Sequence, residues 1–111
     1  MKTDNSKPEK NGHHTDYFKG GEICSEGNFV NGEREGEWKY YLVNGLVKAI
    51  GNYTAGKMAG DWRWYRENGE LMQTGSFDGN EQKTGLWTRY KANGELLDVI
   101  RFLDGKKIKE K

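Results

Sequence analysis

The stretch Gly51-Asn-Tyr53-Thr-Ala-Gly56-Lys-Met-Ala-Gly60-Asp-Trp62-Arg-Trp64-Tyr65 contains the unit from which the rest of the chain is copied. Its order of Gly, aromatic, Gly, Gly, Trp and Tyr, followed by Asn68-Gly69, recurs on both sides. Trp38, Trp62 and Trp87 stand 24 and 25 residues apart, and Gly27, Gly51 and Gly75 keep nearly the same step. Phe29, Tyr53 and Phe77 follow it too, with Phe102 one residue late. Tyr41, Tyr65 and Tyr90 each come three residues after a Trp, and Asn44-Gly45, Asn68-Gly69 and Asn93-Gly94 three after each Tyr. A fixed period in the twenties signals an array whose units bury their apolar faces only against one another.

Asn-Gly between apolar flanks is the strongest short-range hairpin signal, because a type I′ turn needs positive φ at both central residues. Placed at Asn44-Gly45, Asn68-Gly69 and Asn93-Gly94, such turns predict a register. Trp38 faces Gly51, Gly36 faces Tyr53, Trp62 faces Gly75, Gly60 faces Phe77 and Gly85 faces Phe102. Each aromatic then covers a glycine of its hairpin partner, since a missing side chain leaves a slot where a ring lies flat. Trp87 meets Ile100 instead, in a hairpin thickened by Leu96, Leu97, Val99 and Leu103. Terminal repeats are atypical, so this reads as a capping unit. Alternation puts Trp38, Tyr40, Leu42, Val47, Ala49, Gly51 and Tyr53 on a packed aromatic face. Lys39, Tyr41, Lys48, Ile50 and Asn52 fall on a wetter face carrying a row of tyrosines. Helix is disfavoured, because each of the frequent glycines would cost about 1 kcal/mol in one. The expected fold is all-β: an elongated single-layer antiparallel meander of repeated β-hairpins.

Residues 1–13 are polar, include the one proline (Pro8) and lack periodicity, which predicts a disordered tail. The repeat domain is expected over 14–105, with His14 where a Trp belongs, and a solvated basic tail over 106–111. The segments Glu33-Arg34-Glu35, Lys57-Met58-Ala59 and 80–84 read as variable tips between hairpins, where recognition usually sits.

With 18 basic and 17 acidic residues the net charge is +1, which offers no steering field for nucleic acid. The one cysteine, Cys24, has no partner for an internal disulfide; it is expected near an open edge, where its thiol could join two molecules. His13-His14 has no second group of ligands at metal spacing, so neither metal nor cofactor is expected. The Gly-rich runs lack the Gly-Lys-Ser/Thr of a phosphate loop, and no carboxylate pair is marked for acid–base work. The chain therefore reads as non-enzymatic. No run is long and apolar enough for a membrane helix, and the start lacks a signal core, so a cytoplasmic location is expected. A start from which a leader had been removed would read the same.

The run Gly-x-aromatic-x-x-Gly-x-x-x-Gly at Gly27–Gly36 and Gly51–Gly60, distorted at Gly75–Gly85, resembles the MORN repeat (membrane occupation and recognition nexus). Gly36-Glu-Trp38, Gly60-Asp-Trp62 and Gly85-Leu-Trp87 replace the usual Gly-x-Gly. With Tyr-x-x-Asn-Gly following, the chain is similar to the bacterial MORN variant of proteins described as antitoxins or immunity partners, here with about three and a half repeats. The resemblance implies an elongated hairpin row, a protein-binding role toward a toxin or host protein, and no catalytic residue set.

Two residues after each motif Trp come Tyr40, Trp64 and Arg89, on the ring-bearing face, with Trp64 opposite Gln73 and Arg89 opposite Asp98. Tyr, Trp and Arg dominate interface hot spots, so these three, with Arg34, Lys57 and Met58 from the tips, are the candidate partner-binding residues. The plainer alternative stands beside it: Trp64 enlarges a weak core and Arg89 pairs with Asp98. Binding to anionic lipid ranks lower, because it needs a basic cluster. Self-assembly through open strands near Ile23–Val30 and Leu96–Leu103 is a further alternative.

Overall fold

The computed structural model describes residues 10–108, so most of the expected N-terminal tail and the end of the basic tail lie outside the described residues. Nine strands follow in chain order: β1 (Gly12–Tyr17), β2 (Ile23–Val30), β3 (Glu33–Tyr41), β4 (Val47–Thr54), β5 (Lys57–Tyr65), β6 (Leu71–Phe77), β7 (Lys83–Tyr90), β8 (Leu96–Leu103) and β9 (Lys106–Lys107). They form one antiparallel sheet in sequential order. The Cα radius of gyration, 17.0 Å, exceeds the roughly 13 Å of a compact domain this long, as a single layer requires. The expected meander is thus the fold. β1 already begins at Gly12, and the first residues after 105 form β9 against Phe102 and Leu103.

The register agrees with the expected one, Trp38 opposite Gly51, Trp62 opposite Gly75 and Gly85 opposite Phe102, but the turns differ. At Asn44-Gly45 only Gly45 has positive φ (91°), and the loop has three residues. Leu42 N–H donates to Leu46 C=O, and Gly45 N–H to Leu42 C=O, both at 2.8 Å. The asparagine serves the loop by accepting Leu46 N–H on Oδ1 at 3.0 Å, an Asx-type contact. That loop pairs Tyr41 with Val47, one residue off the expected register, and an extra residue at Lys48 restores it, so that Tyr40 meets Ala49. Two irregularities cancel. The same bulge stands at Cys24, Met72 and Leu97. It moves Val47 from the aromatic face to the face of its partner Tyr41.

True two-residue turns with both φ positive lie at the opposite end of the strands: Asn31-Gly32, Ala55-Gly56 and Asp104-Gly105. Two of the three segments read as variable tips, 33–35 and 57–59, are therefore strand, while of 80–84 only the last two residues are. Arg34 pairs with Phe29, Lys57 with Thr54 and Met58 with Tyr53. Only the β6–β7 connection is longer, a three-residue loop closed by Asp78 N–H to Gln82 C=O. Its extra residue accounts for the step of 25 rather than 24. Because β1 covers β2, the open edges are β1 and the part of β8 that β9 leaves uncovered.

Candidate functional site: the ring-bearing face

Trp38, Trp62 and Trp87 are 0, 3 and 4% exposed, although among the described residues no second layer lies over the sheet. Their burial comes from how the indoles lie. A Cβ built on Gly27 would stand 2.3 Å from Trp38, one on Gly51 1.8 Å from Trp62, and one on Gly75 2.2 Å from Trp87. Each indole thus lies flat on a glycine, as expected, but on the strand before its own and not on its register partner. The cause is a break in the ladder on that side. Between Glu26 and Asn28 of β2, β3 carries two extra residues, with Gly36 at φ 76°. Trp38 Nε1 donates to Asn28 C=O there at 3.0 Å. Trp62 to Asn52 and Trp87 to Ser76 repeat the bond at 3.0 and 3.2 Å. Gly36, Gly60 and Gly85, expected to seat rings, instead supply the positive φ of this break, and a Cβ on Gly36 or Gly85 would meet nothing.

Tyr40 and Trp64 complete the layer. Trp38, Tyr40, Trp62, Trp64 and Trp87 form a near-parallel series with centroids 5.5–6.5 Å apart. Phe29, Tyr53, Phe77 and Phe102 meet the tryptophans edge-on at 5.1–6.5 Å. Buried Ser25 and Ala49 are the small residues paired with Tyr40, and Ala49 also pairs with Trp64. An indole hides on the order of 200 Å², so each motif Trp contributes up to about 5 kcal/mol, enough to hold a sheet without a second layer. Tyr40 donates to or accepts from the Tyr53 hydroxyl at 2.7 Å, and burial together with that bond pushes its phenol up. His14, paired with Gly27, meets Phe29 edge-on at 5.5 Å and starts the layer where a Trp would stand. Ile100, opposite Trp87, puts a side chain where the earlier strands keep a glycine slot, which ends the series.

Of the candidate residues, Arg34, Tyr40, Met58, Trp64 and Arg89 share the ring-bearing face, whereas Lys57 alternates to the other. Arg89 Nε donates to Asp98 Oδ1 at 2.9 Å, and this bond holds the Asp98 carboxyl below its ordinary range. The Arg34 guanidinium lies 5.0 Å over Trp38 and 5.6 Å over Tyr53. Lys83, absent from the candidate set, takes the same position one repeat on from Met58, 4.6 Å over Trp87 and 4.8 Å over Phe102. The 24- and 25-residue step applied to Arg34 would have found it.

The opposite face carries the tyrosine row. Each member pairs with an aliphatic residue: Tyr17 with Ile23, Tyr41 with Val47, Tyr65 with Leu71 and Tyr90 with Leu96. Tyr41 donates to Glu26 Oε2 at 2.6 Å, which lowers the Glu26 carboxyl and pushes Tyr41 up to about 12. Among the described residues no three His, Cys, Asp or Glu gather as metal ligands. The depressions on the sheet are open and shallow. One is lined by Ile50, Arg63, Thr74 and Leu86.

The family described as a MORN repeat variant matches over residues 58–78, which span β5 to the end of β6. No curated protein matches the chain.

Proposed function

The chain is a MORN-repeat protein, a non-catalytic repeat type, and on that premise we propose that it is a binding module that holds a partner protein. The finer reading is an antitoxin- or immunity-type module whose partner is a toxin. One observation carries the proposal: the ring layer closes its own core, so among the described residues nothing covers either broad face of the sheet, while the chemistry of both faces is that of interfaces. Half-buried Tyr40 and Trp64 lie on one face and the tyrosine–aliphatic row on the other. Aromatic anchors set among polar residues are what interface centres are made of. A shallow open sheet, by contrast, lacks the enclosure that small-molecule chemistry needs.

The test is capture of a partner on the immobilised chain, then reconstitution from purified components with the complex mass measured. A stoichiometric complex that blocks the partner's toxicity on co-expression supports the antitoxin reading. A chain that forms no complex with any protein encoded beside it, yet pellets with anionic vesicles, overturns the proposal.

A further inference from the structure

We propose that the ring-bearing face docks an extended acidic protein segment, gripped by a row of four cations of which three are stacked on rings. This names the partner chemistry for the binding role above and rests on that role. The row is Lys10, Arg34, Lys83 and Lys107, at steps that keep the repeat, with Met58 in the fifth equivalent place. Lys10 Nζ lies 5.0 Å over Phe29, in the manner of Arg34 and Lys83 over their rings. Lys107 pairs with Phe102 on the same face.

The charge of this row is largely unanswered within the molecule. Among the described residues no carboxylate lies within ion-pair distance of Arg34 or Lys83, and Arg34 Nε is buried without a hydrogen-bond partner. Two acids close to the row are turned to backbone instead. Glu35 Oε1 accepts Ala55 N–H at 2.8 Å, and Glu81 Oε2 accepts Met58 N–H at 2.9 Å. The carboxylates of the face itself, Asp16 and Asp98, stand toward the opposite ends of the strands, Asp98 held by Arg89 with Lys107 as a weaker neighbour. The balanced net charge therefore conceals a basic strip.

Its spacing selects the occupant. Cations on alternate strands stand about 10 Å apart, which matches carboxylates three residues apart, one turn on the same side, in an extended polyproline II segment. Between them Phe29, Tyr53, Phe77 and Phe102 offer ring edges for the intervening side chains.

The experiment titrates a synthetic peptide of about five Glu-Leu-Pro units, whose acids recur at that spacing on one side of a polyproline II helix, against the full chain. Tryptophan emission is the readout, since Trp38 and Trp87 lie under the cations. Binding should weaken as salt rises, and the Arg34→Gln, Lys83→Gln, Lys107→Gln triple variant should lose about tenfold in affinity. Lys39→Gln, Arg63→Gln, Lys106→Gln, of equal charge on the opposite face, should stay near wild type. Met58→Lys, which fills the gap in the row, should bind more tightly, and it decides the matter alone if the first triple fails to fold. Equal losses in both triples, no gain in Met58→Lys, or capture by phosphatidylserine vesicles without peptide binding would each overturn the inference. A natural partner held equally well by the Arg34, Lys83, Lys107 variant would sink this strip and leave the binding role intact.

Discussion

Trp62 pairs with Gly75 across the β5–β6 ladder, yet its indole rests on Gly51 of β4. Each repeat therefore reaches back over the one before it. The core is a chain of such overlaps, which is why a repeat has no core of its own. It also explains how a sheet with no second layer among the described residues can bury three tryptophans.

Two kinds of glycine follow from this, and they should respond differently to alanine. Gly51→Ala puts a Cβ into the Trp62 ring and should cost about 3 kcal/mol or more. Gly85→Ala meets no atom but must hold φ 70°, a cost of about 1–2 kcal/mol. Urea midpoints rank them; equal losses would mean the ring is not seated on Gly51.

Ala55 sits at φ 50°, where the equivalent turn positions hold Asn31 and Asp104. Ala55→Gly should stabilise by about 0.5–1 kcal/mol, since alanine is strained there. A melting temperature that falls would contradict the turn geometry.

Trp62→Ala removes a ring touched on all sides and should cost about 3–5 kcal/mol, enough to unfold a small domain. Trp64→Ala, half-buried beside it, should cost less and leave a folded chain. Far-ultraviolet circular dichroism separates the two, and unfolding by Trp64→Ala would make that residue core in the full sense.

The Tyr41–Glu26 bond gives stability a pH dependence at both ends. Glu26 is held below its ordinary 4.5, so its contribution is present above that value and is lost as pH falls through the lower folded one. Tyr41 is raised to about 12, so its contribution is present below 10 and is lost as pH rises toward 12. Tyr41→Phe should flatten both limbs of the stability–pH curve; an unchanged acid limb would remove the bond from the account.

Much of this was legible in residue spacing. The strands, the register and the all-β array follow from Gly and aromatic positions alone. The turns were not, because Asn44-Gly45 fits both a two-residue and a three-residue loop, and the bulge at Lys48 restores the same register. Nor was the lean of the indoles, since Cα register does not say toward which neighbour a ring lies; the ladder break at Gly36 decides that. The cation row could have been read from position 34 by the same step that revealed the tryptophans, but Arg34 looked like a loop tip.

The most direct test of the overlapping layer is the nuclear Overhauser pattern of the Gly51 Hα protons in the folded wild-type chain. The account predicts cross-peaks to the indole of Trp62, together with a marked upfield ring-current shift. Cross-peaks to the indole of Trp38 in their place, with no such shift, would contradict it.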